Sequence, residues 1–404
     1  MSAVYLYDDA RARAFEPFAL TRPTGELRAG ALLVRERWSR ALDVAAAGHV
    51  TSASLRGFSE PEAAPVVDEA ATLPAGTWIA NARFAPALTT VSSGQVLTAN
   101  GRVAAVRLAT DVAAERLSDG RLALVALAAE HPPAASSAID GWWLEEVWDL
   151  VRHLVPMLDA DIPILGANAT KGLPRGAIGV GDHPVFIGAG AVVEPSVCFD
   201  TSAGPILLQS GSHVQAFTRL VGPLYVGAHS VLTTDRIAAS SIGDTCKVHG
   251  EVSNTIFIGH SNKGHDGFVG HSVLGRWVNL GAGTITSNLK NTYGTVQLWT
   301  PSGVRETGLQ FLGTLFGDHA KTGIGLRLTT GCVLGAGANV YGSTMPPKVV
   351  APFSWGEAGS FQSYRVDKFL EVAERMMSRR HVTLEDGMRD TLMVAFSARW
   401  TVGS

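Results

Sequence analysis

The sequence predicts an α/β layer followed by a parallel β-helix and closed by helices. Three observations carry this reading. Glycine is unevenly spread, with 30 of the 44 glycines lying between Gly172 and Gly342. In that stretch an aliphatic or aromatic residue followed by glycine recurs, as at Val226-Gly227, Ile242-Gly243, Ile258-Gly259 and Leu274-Gly275, whose glycines stand 16 residues apart. Upstream, short apolar runs instead alternate with helical spacing, the pattern of an α/β layer.

In chain order, AVYLY is a strand and AGALLVRERWSRAL has helical spacing. GTWIANARF and GQVLTANGRVAAVRL read as strands broken by turns at glycine. DGWWLEEVWDLVRHLVPMLDAD, residues 140–161, reads as one amphipathic helix bridging to the repeats. Through 161–350 an inward aliphatic residue recurs about every six positions, which suits a triangular coil. The glycine after it gives each corner a positive φ or room for close approach. The segment 287–311, SNLKNTYGTVQLWTPSGVRETGLQF, breaks the rhythm and is expected to leave the coil as an excursion. The tail 351–404 should hold two helices, with Thr383 and Asp386 near the start of the second. The predicted domains are therefore 1–160, 161–350 and 351–404.

Composition narrows the function. A net charge of -3 with 17% charged residues leaves no basic surplus for a nucleic-acid partner. Cys198, Cys246 and Cys332 are odd in number and far apart, which frames neither a disulfide scaffold nor a zinc ribbon and fits a reducing cytoplasm. No apolar run approaches the ~20 residues of a membrane helix, so no membrane partner is expected.

The densest polar constellation lies in 246–291, including Lys247, His249, His260, Lys263, His265, Asn279, Asn288 and Lys290, and eight of the twelve histidines fall between His183 and His319. The stretch KGHDGFVGHSVLGRWVNLGAGTITSN resembles the acetyltransferase half of the bifunctional N-acetylglucosamine-1-phosphate uridyltransferase / glucosamine-1-phosphate N-acetyltransferase family. TRPTGELRAG, CKVHGEVSN, NLKNTYG and FGDHAKTGIG extend the likeness to a divergent bacterial branch. The resemblance implies a left-handed β-helix built of hexapeptide repeats, an acetyl-CoA cosubstrate, an amino-sugar-1-phosphate substrate and a homotrimer. It gives His265 the place of the catalytic base, the Ala282 N–H that of the oxyanion donor, and Asn279 and Asn288 the sugar and acetyl contacts. The chemistry is coherent in itself: histidine removes a proton from an ammonium near neutral pH, and a Gly-Ala-Gly turn offers backbone donors to an oxyanion. Phe268 and Leu289 replace substrate-contacting tyrosines, and Lys247, Lys263 and Lys290 are the candidates for the phosphate-gripping lysine.

For residues 1–160 the resemblance implies a nucleotidyltransferase-like domain acting on UTP, with magnesium. The family's glycine-rich loop is missing; DDARARAFEPFALTRPTGELR offers Arg11, Arg13, Arg22 and Arg28 as phosphate grips instead. Asn81 stands where a metal-binding aspartate is expected, leaving Asp8 or Asp9 as substitutes. Other readings stay open. Asn279 and Asn288 could be ladder residues bonded between coils, and the arginines could be solvated. His229, His260 and His265 could hold zinc as in a β-helix carbonic anhydrase. Both sites could also bind without turnover, as in a sugar-nucleotide sensor.

Overall fold

The computed structural model describes residues 2–91, 94–130 and 136–402. The chain forms two compact units, one comprising the residues up to Asp149 with Val382–Ala398, the other Leu150–His381 with the few residues after Ala398.

In the first unit AVYLY becomes the central strand Ala3–Tyr7, with Val4 and Leu6 fully buried. It pairs in parallel with Ala45–Val50 on one side and Trp78–Asn81 on the other. The sheet continues through antiparallel Arg102–Arg107 and Val96–Ala99 to Ser136–Ala138. A parallel pair requires a crossover. The helix Val34–Leu42 supplies it and buries Val34 and Trp38. This is the expected α/β layer.

The single helix expected over 140–161 is not formed. Gly141–Trp143 is instead a strand paired with Phe84–Pro86, held by Trp143 against Phe84 with ring centroids 5.1 Å apart. Helix begins only at Asp149–Arg152, stops, and resumes as Leu154–Leu165. Pro156 accounts for the break, because a proline ring clashes with the carbonyl four residues earlier, here that of Arg152. The last helix, Asp386–Ala398, buries Met388, Leu392 and Ala395 within the first unit. Gly57 lets it dock, since a Cβ there would lie 2.2 Å from the Gly387 carbonyl oxygen.

The second unit is a parallel β-solenoid of three stacked ladders. Along one of them Val185 pairs with Ile206, Ile206 with Leu224, Ser241 with Ile256 and Ile256 with Val273, so coils shorten from 21 residues (185 to 206) to 15 (241 to 256). Inward positions form aliphatic columns such as Val214, Leu232 and Val248, all fully buried. The glycines of the repeat serve close approach: a Cβ on Gly243 would meet the Ile258 carbonyl oxygen of the next coil at 2.3 Å. Positive φ falls just after those glycines, on His229, Thr245, His260, Trp277 and His319. The excursion lies where the rhythm broke: Val273 pairs with Leu315, and between them Gln297–Thr300 and Gly303–Glu306 make a hairpin. Helix Val366–Ser378 follows the last coils.

Candidate active site

Register on one face of the solenoid builds a polar row. Lys247 pairs with Asn262, Asn262 with Asn279, Asn279 with Lys321, and Lys321 with Asn339. The Asn262 amide donates to Asn279 Oδ1 at 2.7 Å, so Asn279 is bonded between coils while remaining partly exposed. Lys247, Asn262 and Asn279 line a cavity of about 470 Å³ whose other walls include His229, His260, Trp277 and His265. Met376, Arg379 and Arg380 border the same cavity from the end of the tail helix.

His265 is exposed at the corner that follows this face. Successive coils stack there: the Gly283 N–H donates to Asp266 O at 3.0 Å and the Gly325 N–H to Ala282 O at 2.7 Å. The column His265, Asp266, Ala282, Gly283, Ile324 and Gly325 thereby lines an open groove of about 710 Å³. The Ala282 N–H has no acceptor among the described residues. His265 borders both the face cavity and the corner groove. Beside it, His249 Nε2 lies 2.8 Å from Asp266 Oδ1, and His249 Nδ1 lies 2.6 Å from the Thr233 carbonyl.

Three sequence expectations need correction here. Lys263 is not a phosphate grip: it pairs with Val248 in an inward column and is 1% exposed. Its ammonium donates to the His249 carbonyl at 3.0 Å and to that of His265, holding the turn from within. Burial pulls it down to about 8, against the opposing pull of Asp266 and Asp235. Asn288 lies at the next corner, where its amide contacts His271 Nδ1 at 2.9 Å, and it lines neither cavity. His271 stacks on Phe311, and burial pulls its imidazole down to about 4. Lys290 is half-buried on the excursion and donates to Thr295 O. His229, His260 and His265 do share a cavity, yet among the described residues no three His, Cys, Asp or Glu side chains converge as a metal-binding group. Arg379 and Arg380 were missed; their signal is the basic SRR at a helix end.

In the first unit a cavity of about 340 Å³ opens at the carboxyl ends of Ala3–Tyr7 and Trp78–Asn81, the edge at which α/β sheets take ligands. Tyr7, Asp9, Asn81, Arg83, Arg102 and Trp143 line it. Arg13, Arg22 and Arg28 of the 8–28 loop do not face it as phosphate grips. Arg22 is 1% exposed and bonded to both Glu60 oxygens at 3.1 and 2.8 Å. Arg28 is 3% exposed and donates to Ala31 O, while Arg13 donates to Ser118 O at 2.6 Å and Asp8 O at 3.0 Å. A loop packed inside a domain must satisfy its carbonyls, and guanidinium brings five donors to that task.

Asn81 donates to Asp9 Oδ2 at 3.0 Å and accepts from the Arg83 N–H at 2.9 Å. Asp9 is fully engaged: Oδ1 accepts from the Arg11 N–H (3.1 Å), the Ala12 N–H (2.9 Å) and Arg83 Nε (2.8 Å), and Oδ2 from Arg83 Nη2 (2.7 Å) as well as Asn81. Burial works against ionisation of Asp9, but Arg83 outweighs it and holds the carboxyl below its usual range. Asp8 is buried against the Thr24 N–H and the Thr51 hydroxyl, and burial pushes its carboxyl up. The magnesium that the resemblance implies does not fit these residues.

The α/β sheet carries a cavity at its carboxyl edge, and residues 4–170 match the family model described as sugar nucleotidyl transferase. The chain is 28% identical over 136 residues to a bifunctional sugar-1-phosphate nucleotidylyltransferase/acetyltransferase of Sulfurisphaera tokodaii, covering 33% of each chain. It is 28% identical over 129 residues to the bifunctional protein GlmU of Methanococcus vannielii, 32% of this chain and 29% of that one. These matches bear out the resemblance read from the sequence, and each spans about a third of the relative's length. Among solved structures, the Arabidopsis UDP-N-acetylglucosamine acyltransferase overlaps 52% of this chain and 80% of its own at 13% identity and a TM-score of 0.33. The solenoid stands on its own strand pairing. No helix among the described residues is long and apolar enough to cross a membrane.

Proposed function

We propose that this chain serves sugar-nucleotide biosynthesis, with the solenoid unit transferring an acetyl group from acetyl-CoA to the amine of an amino-sugar-1-phosphate. The observation that carries this reading is the position of His265, at the junction of a polar cavity and an open corner groove. A two-substrate transfer needs such a junction: the sugar phosphate lies in the cavity and the thioester along the groove. Asn279 holds the sugar, and Lys247 with Arg379 offers cations to its phosphate, the role for which Lys263 and Lys290 are poorly placed.

In the reaction His265 takes the proton from the attacking ammonium. The nitrogen adds to the thioester carbonyl while the Ala282 N–H, free of other acceptors, faces the developing oxyanion. The C–N bond forms as the C–S bond breaks; of the two protons the nitrogen loses, one passes through His265 to the leaving thiolate and the other goes to solvent.

The first unit, on this reading, binds the sugar nucleotide or UTP at its carboxyl-edge cavity. The protein works in the cytoplasm as a homotrimer, whose assembly would bring Asn288 of one copy toward a neighbour's site. Labelled acetyl-CoA incubated with glucosamine-1-phosphate and other amino-sugar phosphates tests the proposal. Label should pass to the sugar amine; an inert protein with every acceptor would end the acetyltransferase reading.

A further inference from the structure

The first unit carries a feature that neither the family match nor the relatives' names account for. Three guanidinium groups from distant points of the chain converge on one carboxylate, that of Glu145. Arg11 Nη1 approaches it at 2.7 Å, Arg83 Nη1 at 3.1 Å, and Arg102 Nη1 donates to its other oxygen. This cluster borders the carboxyl-edge cavity, which Arg83 and Arg102 both line. The Arg83 side chain is 6% exposed, whereas that of Glu145 is 36% exposed. The Arg102 guanidinium lies 3.8 Å above the Trp143 ring, so its plane is fixed even without the carboxylate.

The three arginines share three carboxylates, since Arg83 also forks onto Asp9 and Arg11 lies 3.7 Å from Glu146, and Glu145 is the one on which all three meet. Guanidinium forks match the tetrahedral oxygens of phosphate as well as they match a carboxylate. Glu145 has a route out, because its side chain is partly exposed, as are those of Arg11 and Arg102, and only Arg83 is buried. Asp9 has none: every donor around it would have to be stripped away before it could bind a cation.

We propose that the first unit takes up a phosphate- or diphosphate-bearing ligand without a divalent cation, on Arg11, Arg83 and Arg102, with Glu145 occupying the phosphate position until the ligand displaces it. This rests on the reading above that the unit binds a phosphorylated ligand, and it replaces the metal in that reading with an internal carboxylate as the regulator of entry.

Calorimetry of the full chain with inorganic pyrophosphate and with UTP, in EDTA and then in magnesium, decides the matter. Pyrophosphate should bind in EDTA. Glu145→Gln, which keeps the shape and removes the charge, should tighten binding about tenfold, and Arg102→Ala should weaken it by a similar factor, the worth of one charge-assisted hydrogen bond. A gain of affinity cannot come from misfolding, so Glu145→Gln guards the test. Binding that appears only with magnesium, or equal affinity in Glu145→Gln and the parent, would overturn the inference while leaving a phosphate-binding unit in place. No binding of either probe in any condition would sink both that inference and the phosphate-binding reading of this unit, and acetyl transfer by the solenoid would be judged apart.

Discussion

His265 and Lys247 stand exposed on the solenoid, whereas Arg22 and Arg28 of the first unit are 1% and 3% exposed. The difference follows from how each unit is held together. A solenoid fills its prism with aliphatic columns and satisfies its backbone in the ladders, so its outward polar residues remain available for ligands. The first unit folds a long loop into its interior, and charged side chains there must satisfy buried carbonyls and one another. Glu26, for instance, contacts His49 Nε2 at 2.8 Å and accepts from Arg35 at 2.7 Å, and all but Arg35 are almost wholly buried. A charged side chain is thus left on the surface in one unit and spent on scaffold in the other.

The largest effect expected of this contrast is on catalysis. His265→Ala should lower acetyl transfer by about 10²–10⁴-fold, the worth of a general base, while the thermal midpoint stays put because the side chain packs against nothing it stabilises. Steady-state kinetics beside calorimetric melting checks both halves, and near-normal turnover removes His265 from the role.

Acid should separate the units next. Burial pushes the Glu26 carboxyl up, but His49 and Arg35 outweigh it and bring it to about 2 from an ordinary 4.5. A carboxyl depressed in the folded state contributes stability above its unfolded value and loses it as pH falls, here between about 4.5 and 2, by on the order of 3 kcal/mol. Hydrogen exchange resolved by segment should show Ala3–Tyr7 and Ala45–Val50 opening in that window before the ladders of the solenoid do. Simultaneous opening would mean that the two units do not differ in this way.

Lys263 is the exception within the solenoid, a charge placed inside the prism. Lys263→Met keeps the aliphatic stem but frees the His249 and His265 carbonyls, so kcat should fall about tenfold with KM nearly unchanged. Stability should shift little, since lost bonds and removed desolvation oppose one another. An unaltered kcat would show that the turn holds His265 without it. The smallest effect is a split between two asparagines: Asn279→Ala should raise the sugar-phosphate KM about fivefold, the scale of one neutral hydrogen bond. Asn288→Ala should leave KM alone in a monomeric form of the protein and raise it only in an assembled one.

Where the sequence was legible and where it was not follows the same physics. The coils, the excursion after Ser287 and the corner shared by His265 and Ala282 all follow from a local repeat, because each coil depends only on its neighbours. Lys263 was placed on the outer face because alternation puts a lysine outside, and only the Val248 register shows it turned inward. Arg379 and Arg380 reach the cavity from a helix more than a hundred residues downstream of His265, a distance no local pattern spans. Arg13, Arg22 and Arg28 were misplaced because charge on a loop resembles a solvated or ligand-facing surface until the loop is found buried. The Glu145 cluster was invisible for the reason that Arg11, Arg83 and Arg102 meet only in the folded sheet.

The helix Asp386–Ala398 belongs with the first unit although the whole of Leu150–His381 is made before it. On a ribosome adding about 5–20 residues per second, the seat at Gly57 is therefore left uncovered for roughly 10–45 s after the strands around it have emerged. During that interval the seat stays open while the residues of the second unit are added. Synthesis order makes the last helix a latch on work begun at the first residue, so a chain cut short anywhere before it would be marked as unfinished by the surface it fails to cover.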